Sequence, residues 1–137
     1  MVVDASVVVS RLVLHDVHHA ASRRWLTRHV AAGGLVIAPA LLLPEVAGAV
    51  ARRTGDPRLA RRAVAAVLRL PALRLVQVDD VLARSAAGIA GRLRVRGPDA
   101  VYIAAAAGLR LPLVTWDSEQ RHRAARLVEV LVPEEGE

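Results

Sequence analysis

Four carboxylates stand in apolar surroundings, where an ionised side chain needs a partner. Asp4 follows Met1-Val2-Val3, and Glu45 is the only charged residue between Leu35 and Ala51. Asp99 opens the apolar run Ala100 to Ala107 after Gly97-Pro98, and Asp117 follows Leu113-Val114-Thr115. Singly, each has an ordinary use as a helix cap or a first-turn acid. Gathered at one place they would repel one another, and hard divalent cations with oxygen ligands are the natural compensation. Such cations, about 3.5–4 Å apart, activate water and stabilise the leaving oxygen in an in-line displacement at a phosphodiester. No protein nucleophile is required. Ser6 and Thr115 lie two residues from Asp4 and Asp117, so their hydroxyls could orient the carboxylates or a metal-bound water, or serve as plain turn and cap groups.

Composition narrows the remaining chemistry. All nineteen basic residues are Arg, and Lys is absent, which excludes Schiff-base formation and the phosphate-binding Lys of a P-loop. Cys is absent too, which removes thiol nucleophiles, disulfides and zinc thiolate sites. The formal charge of +6 fits a polyanionic partner, or the Arg and Ala bias of a GC-rich genome. Only Trp25, Tyr102 and Trp116 are aromatic, so Ala, Val and Leu must build the core, and base stacking on aromatic platforms cannot dominate any nucleic-acid binding.

The elements that must position these residues form an α/β pattern. At 137 residues the chain has the size of one domain, expected over residues 1–132 with a short acidic tail at 133–137. Short apolar runs predict strands at Met1 to Val3, Leu35 to Ala38, Arg74 to Val78, Leu113 to Thr115 and Leu127 to Leu131. Apolar residues recurring at three and four positions predict helices over Val17 to Ala31, Leu42 to Arg53, Pro57 to Arg69, Val81 to Arg94 and Pro98 to Gly108, with a short one after Asp117. Val7-Val8-Val9 has β propensity, yet its place after the first strand demands a crossover, so a short helix is expected there. The alternation calls for a central, mostly parallel sheet of four to five strands flanked by helices on both faces. Asp4 and Asp117 then lie at strand ends, where such sheets place ligands. No apolar run approaches about eighteen residues, and the chain begins without a basic region and apolar core, so a soluble cytoplasmic protein with no membrane partner is expected.

Other polar clusters carry weaker signals. His15, His18 and His19 share a segment with Arg23 and Arg24 and read as a solvated helix face, and His29 and His122 have equally polar neighbours. Arg52, Arg53, Arg58, Arg61 and Arg62 flank a Gly55-Asp56-Pro57 turn, while Arg92, Arg94 and Arg96 precede Asp99. These guanidiniums could bracket an RNA backbone near the acids or simply keep the surface soluble, with Arg52, Arg53, Arg92, Arg94 and Arg96 the RNA-binding candidates. Leu12 to Leu14 and Leu41 to Leu43 are candidates for a dimer or partner interface, or for the core.

The ordered set Val2-Val3-Asp4-Ala5-Ser6, Leu42-Leu43-Pro44-Glu45-Val46, Pro98-Asp99-Ala100-Val101-Tyr102-Ile103-Ala104-Ala105-Ala106 and Leu113-Val114-Thr115-Trp116-Asp117 resembles the PIN-domain family, and most the VapC-type toxins of bacterial toxin–antitoxin pairs. The resemblance spans nearly the whole chain. It implies an endoribonuclease dependent on Mg²⁺ or Mn²⁺, with Asp4, Glu45, Asp99 and Asp117 as the acidic quartet. Asp4 and Asp99 would hold the metal, with Glu45 and Asp117 acting directly or through water. It also implies a homodimer neutralised by a cognate antitoxin. Where the family often carries an aromatic residue three positions after the last acid, this chain has Gln120, and Glu119 offers a second carboxylate beside Asp117. A catalytically inactive PIN-fold module that binds RNA or protein is the second reading. A phosphoacceptor receiver or an Asp-nucleophile phosphatase is disfavoured, since the first would call for a Lys and the second for an Asp where Ser6 stands.

Overall fold

The chain is described by a computed structural model, over residues 1–133; positions 134–137 of the expected acidic tail lie outside the described residues. Five strands form one all-parallel sheet: β1 (Val2–Val3), β2 (Val36–Pro39), β3 (Leu73–Val76), β4 (Leu113–Val114) and β5 (Val130–Leu131), in the order β3-β2-β1-β4-β5. Val2 pairs with Ile37 on one side and Leu113 on the other. Successive strand residues point to opposite faces, and Val2, Val3, Leu113 and Val114 are all fully buried, so helices cover both faces of the sheet centre. The crossovers are α1 (Ala5–Leu12) and α2 (His19–Ala31), then α3 (Leu42–Thr54) and α4 (Pro57–Leu68), then α5 (Asp80–Leu93) and α6 (Gly97–Leu109), and finally α7 (Ser118–Ala124). Val7 to Val9 are helical and buried: the crossover requirement outweighs β propensity.

The element ends have local causes. Asp16 accepts the His18 N–H at 2.8 Å in a turn that delays α2 to His19, two residues later than its apolar pattern. Asp79 caps α5 through the Leu82 N–H, and Arg94 adopts a left-handed conformation (φ 57°) that ends the helix one residue early. β5 is shorter than its apolar run because the N–H groups of Leu127 and Val128 turn back to the Ala124 carbonyl. In the core, α6 presents Ala100, Ala104 and Ala106 with Ile103 and Tyr102, and it packs across β1, β2 and β4. Small side chains let the helix lie close over the strands, which suits a chain without Phe.

Candidate active site

The strand order reverses at β1, whose neighbours β2 and β4 lead the chain in opposite directions across the sheet. A crevice opens at such a switch point beyond the carboxyl ends of the strands. Asp4 leaves β1 there, and its N–H bonds the Val114 carbonyl of β4 at 2.9 Å. Asp117 emerges three residues beyond β4. Both cap helices: Asp4 Oδ2 accepts the Ser6 N–H at 3.0 Å, and Asp117 Oδ1 accepts the Gln120 N–H at 2.9 Å. Capping and a further role are compatible, since each cap bond engages one oxygen of two.

A hydroxyl relay joins the two strand ends. Thr115 donates its hydroxyl proton to Asp4 Oδ2 at 3.1 Å and accepts the Asp117 N–H at 3.1 Å. With that proton committed, the 3.3 Å contact between Ser6 Oγ and Thr115 Oγ1 has Ser6 as donor, and Ser6 in turn accepts the Trp116 N–H at 3.1 Å. Thr115 is fully buried and Asp4 nearly so, which makes the geometry rigid.

Glu45 and Asp99 enter from the first turns of α3 and α6. Burial first, then the charges of Asp4 and Asp99, push Glu45 above the usual carboxylate range. Burial, then Asp4, also raises Asp99; Asp117 adds to the rise and Arg96 opposes it. Glu45 Oε1 is buried without a hydrogen-bond partner among the described residues, as is the hydroxyl of Tyr102. Burial first, then the charge of Glu45, pushes the Tyr102 phenol up, while Tyr102 in turn moderates the rise at Glu45. Arg96 reaches across the mouth, 3.5 Å from Asp99 Oδ2 and 3.9 Å from Asp117 Oδ2.

The four acids line one cavity of about 640 Å³. Among the described residues no three His, Asp or Glu side chains already stand together as a metal-ligand set. The donors nonetheless fit a hard divalent cation: they are oxygens, they repel one another, and one of them is a buried oxygen without a partner.

Other candidates divide between two places. Arg52, Arg53 and Arg96 line the acid cavity, whereas Arg92 and Arg94 line a separate basic pocket with His122, Arg123 and Arg126. Glu119 points away from the acids and pairs with Arg123 at 2.9 Å, leaving Asp117 as the carboxylate at the cleft. Two cleft residues carried no usable sequence signal. Asp16 accepts Arg53 Nη1 at 2.5 Å; burial raises its pKa, but Arg53 and the His18 N–H more than offset this, and the net shift is downward. His18 is no solvated helix face: it stacks on Trp116 inside the cleft, at 3.9 Å between ring centroids and 8° between planes. Of the apolar runs, Leu42 is buried in the core, whereas Leu14 and neighbouring Val17 are 76% and 89% exposed. No helix among the described residues is long and apolar enough to cross a membrane.

A family model described as PIN domain matches residues 1–126. Among solved structures, the chain is similar to VapC20 of Mycobacterium tuberculosis, described as a sarcin-ricin loop cleaving toxin. The identity is 24% and the TM-score 0.74, covering 94% of this chain and 97% of that one. It is also similar to VapBC2 from Rickettsia felis bound to a DNA fragment from their promoter, at 12% identity and a TM-score of 0.70 over 96% of each chain. A toxin–antitoxin complex from Klebsiella pneumoniae matches at 17% identity and a TM-score of 0.63 over 98% of each chain. A search of curated proteins found no match.

Proposed function

The chain belongs to the PIN domain family, and from that premise we propose that it is a divalent-metal-dependent endoribonuclease, the toxin of a VapBC-type toxin–antitoxin pair. The observation that carries the reading is the convergence of Asp4, Glu45, Asp99 and Asp117 on one cavity at the switch point of the sheet. Asp4 and Asp99 would hold Mg²⁺ or Mn²⁺, with Glu45 and Asp117 acting directly or through water. The bound metal would supply an activated water and charge stabilisation at the phosphodiester. Thr115 fixes one Asp4 oxygen, and Ser6 fixes Thr115. Arg52, Arg53 and Arg96 would offset the repulsion between the acids and an incoming phosphate, and Arg92 and Arg94 would hold the RNA backbone from their separate basic pocket.

The same chemistry describes the partner. An antitoxin would neutralise the cleft by placing an Arg or Lys among the carboxylates in place of metal, as Arg96 already reaches Asp99 and Asp117. A homodimer would cover exposed Leu14 and Val17; a lone monomer in light scattering at micromolar concentration would remove that part of the proposal.

The deciding experiment is cleavage of single-stranded RNA by the purified protein. Cleavage is expected with Mg²⁺ or Mn²⁺ and not with EDTA, and Asp4→Asn or Asp99→Asn should slow it at least about a hundredfold, roughly 2.7 kcal/mol of transition-state stabilisation. Cleavage that persists in EDTA or in both variants would show that the acids are not the catalyst. RNA binding without cleavage in any metal would favour the inactive binding module.

A further inference from the structure

The cleft extends beyond its acids. At about 640 Å³ it has the size of an organic-ligand pocket, and besides the four carboxylates its wall includes Ser10, Asp16, His18, Arg53 and Trp116. Trp116 is one of only two tryptophans in a chain whose core contains no Phe, yet it stands half-buried at this wall. Its ring is held at one edge and on one face. Trp116 Nε1 donates to Ser22 Oγ at 2.7 Å, Ser22 and Ser10 share a 2.7 Å hydroxyl contact, and Ser10 donates to the Val7 carbonyl at 2.9 Å. His18 lies parallel to the indole and is fixed in turn by its own N–H on Asp16, which Arg53 ties to α3. The other Trp–His pair, Trp25 and His29, lies one turn apart on a single helix with centroids 5.0 Å apart. The cleft pair instead joins segments nearly a hundred residues apart, next in sequence to Asp117.

We propose that the His18–Trp116 stack is a nucleobase platform, taking one unpaired base of the RNA next to the acids; this rests on the ribonuclease reading of the cleft. A rigid aromatic face with a guanidinium beside it suits the π-face and backbone of a single-stranded nucleotide. One platform is also what so few aromatic residues allow. It makes the site select nucleotides that are free to leave a stack.

The test is binding in EDTA, with Trp25→Phe introduced so that Trp116 is the only indole. A short oligoadenylate should quench Trp116 fluorescence. The same strand with abasic riboses should bind about tenfold more weakly without quenching, which is the loss of one base stack. His18→Ala should weaken the intact strand about tenfold and leave the abasic strand unchanged, and His18→Phe should restore the difference. The same affinities are read from the anisotropy of a labelled strand on the protein that keeps Trp25. Equal binding and quenching by intact and abasic strands overturns the platform. So does an equal loss of both in His18→Ala, which is what a mere clamp between segments would produce, or a failure of the intact strand to bind. Cleavage in Mn²⁺ with base-indifferent binding rejects the platform and keeps the ribonuclease; base-dependent quenching without cleavage does the reverse.

Discussion

Val95 alone separates Arg94, which lines the basic pocket, from Arg96, which reaches into the acid cleft. On one side of that loop stand Arg92, Arg94, His122, Arg123 and Arg126 around about 480 Å³ with no carboxylate in the lining. On the other stand the four carboxylates and Asp16, interleaved with Arg52, Arg53 and Arg96. The two linings differ in depth as well as in sign. Arg92, Arg94, His122 and Arg126 are exposed, so water screens their repulsion, and Arg123 is pinned by Glu119 and by the carbonyls of Leu93 and Arg94. Asp4 is 5% exposed, and Glu45 and Asp99 titrate high because burial denies them that screening. Gathered cations are therefore tolerated at the surface, whereas gathered acids at depth work against folding until something positive enters.

The largest effect that sharpens this contrast, after loss of cleavage in the acid variants, is expected in RNA affinity. Arg92→Ala with Arg126→Ala should weaken binding about tenfold at low salt and flatten the log–log salt dependence by roughly 0.7 for each phosphate no longer neutralised. The melting temperature should stay put. An unchanged salt slope would reduce the pocket to a solubility feature.

A smaller effect, opposite in sign for two acids of the same cleft, is expected in stability. Asp99 is raised by burial and by Asp4, so its ionisation opposes folding: its contribution is whole below the ordinary carboxylate range and is lost as pH rises through the raised value. Asp99→Asn should thus raise the melting temperature in EDTA at pH 7, with the gain fading toward about pH 4. It should also blunt the rise on adding Mn²⁺, because stabilisation follows RT ln(1 + [L]/Kd). Asp16 is held low by Arg53 and the His18 N–H, against its burial, so its stability is present at neutral pH and lost as pH falls through its folded value. Asp16→Asn should lower the melting temperature at pH 7, and the penalty should vanish in acid. A plain first-turn Asp at position 99 stabilises its helix by about 0.3–1 kcal/mol, so a destabilised Asp99→Asn with an intact Mn²⁺ response would remove Asp99 from the site.

The smallest expected effect is a neutral control on α7, the helix between the two regions. The Gln120 amide is buried with neither end hydrogen-bonded among the described residues. Gln120→Leu should stabilise by about 1 kcal/mol, equally in EDTA and Mn²⁺ and at all pH values. A metal-dependent change would tie this side chain to the cleft.

What sequence made legible follows a physical division. Asp4 and Asp117 could be paired in advance because parallel strands end on one side of a sheet, and both acids follow apolar runs short enough to be strands. Glu45 and Asp99 stood out because a charge in an apolar helix needs a reason. Asp16 and His18 did not stand out, since their place depends on how the segment after α1 folds back onto Trp116 and Arg53, a contact between distant parts of the chain. The division of the arginines was hidden for a similar reason: Arg94 and Arg96 are alike in sequence, and only the left-handed turn at Arg94 sends them to different pockets.

The central place of β1 also dates the site. Domains generally fold in the order they are synthesised, but here the strand made first lies between β2 and β4, and its Asp4 is bonded through the Val114 carbonyl and the Thr115 hydroxyl. Pairing across that span is slow, because loop closure must precede any gain from it. A nascent chain ending before Thr115 holds three of the four carboxylates, but it lacks the hydroxyl that holds Asp4 Oδ2 from β4 and, with it, Asp117, the fourth carboxylate of the cleft.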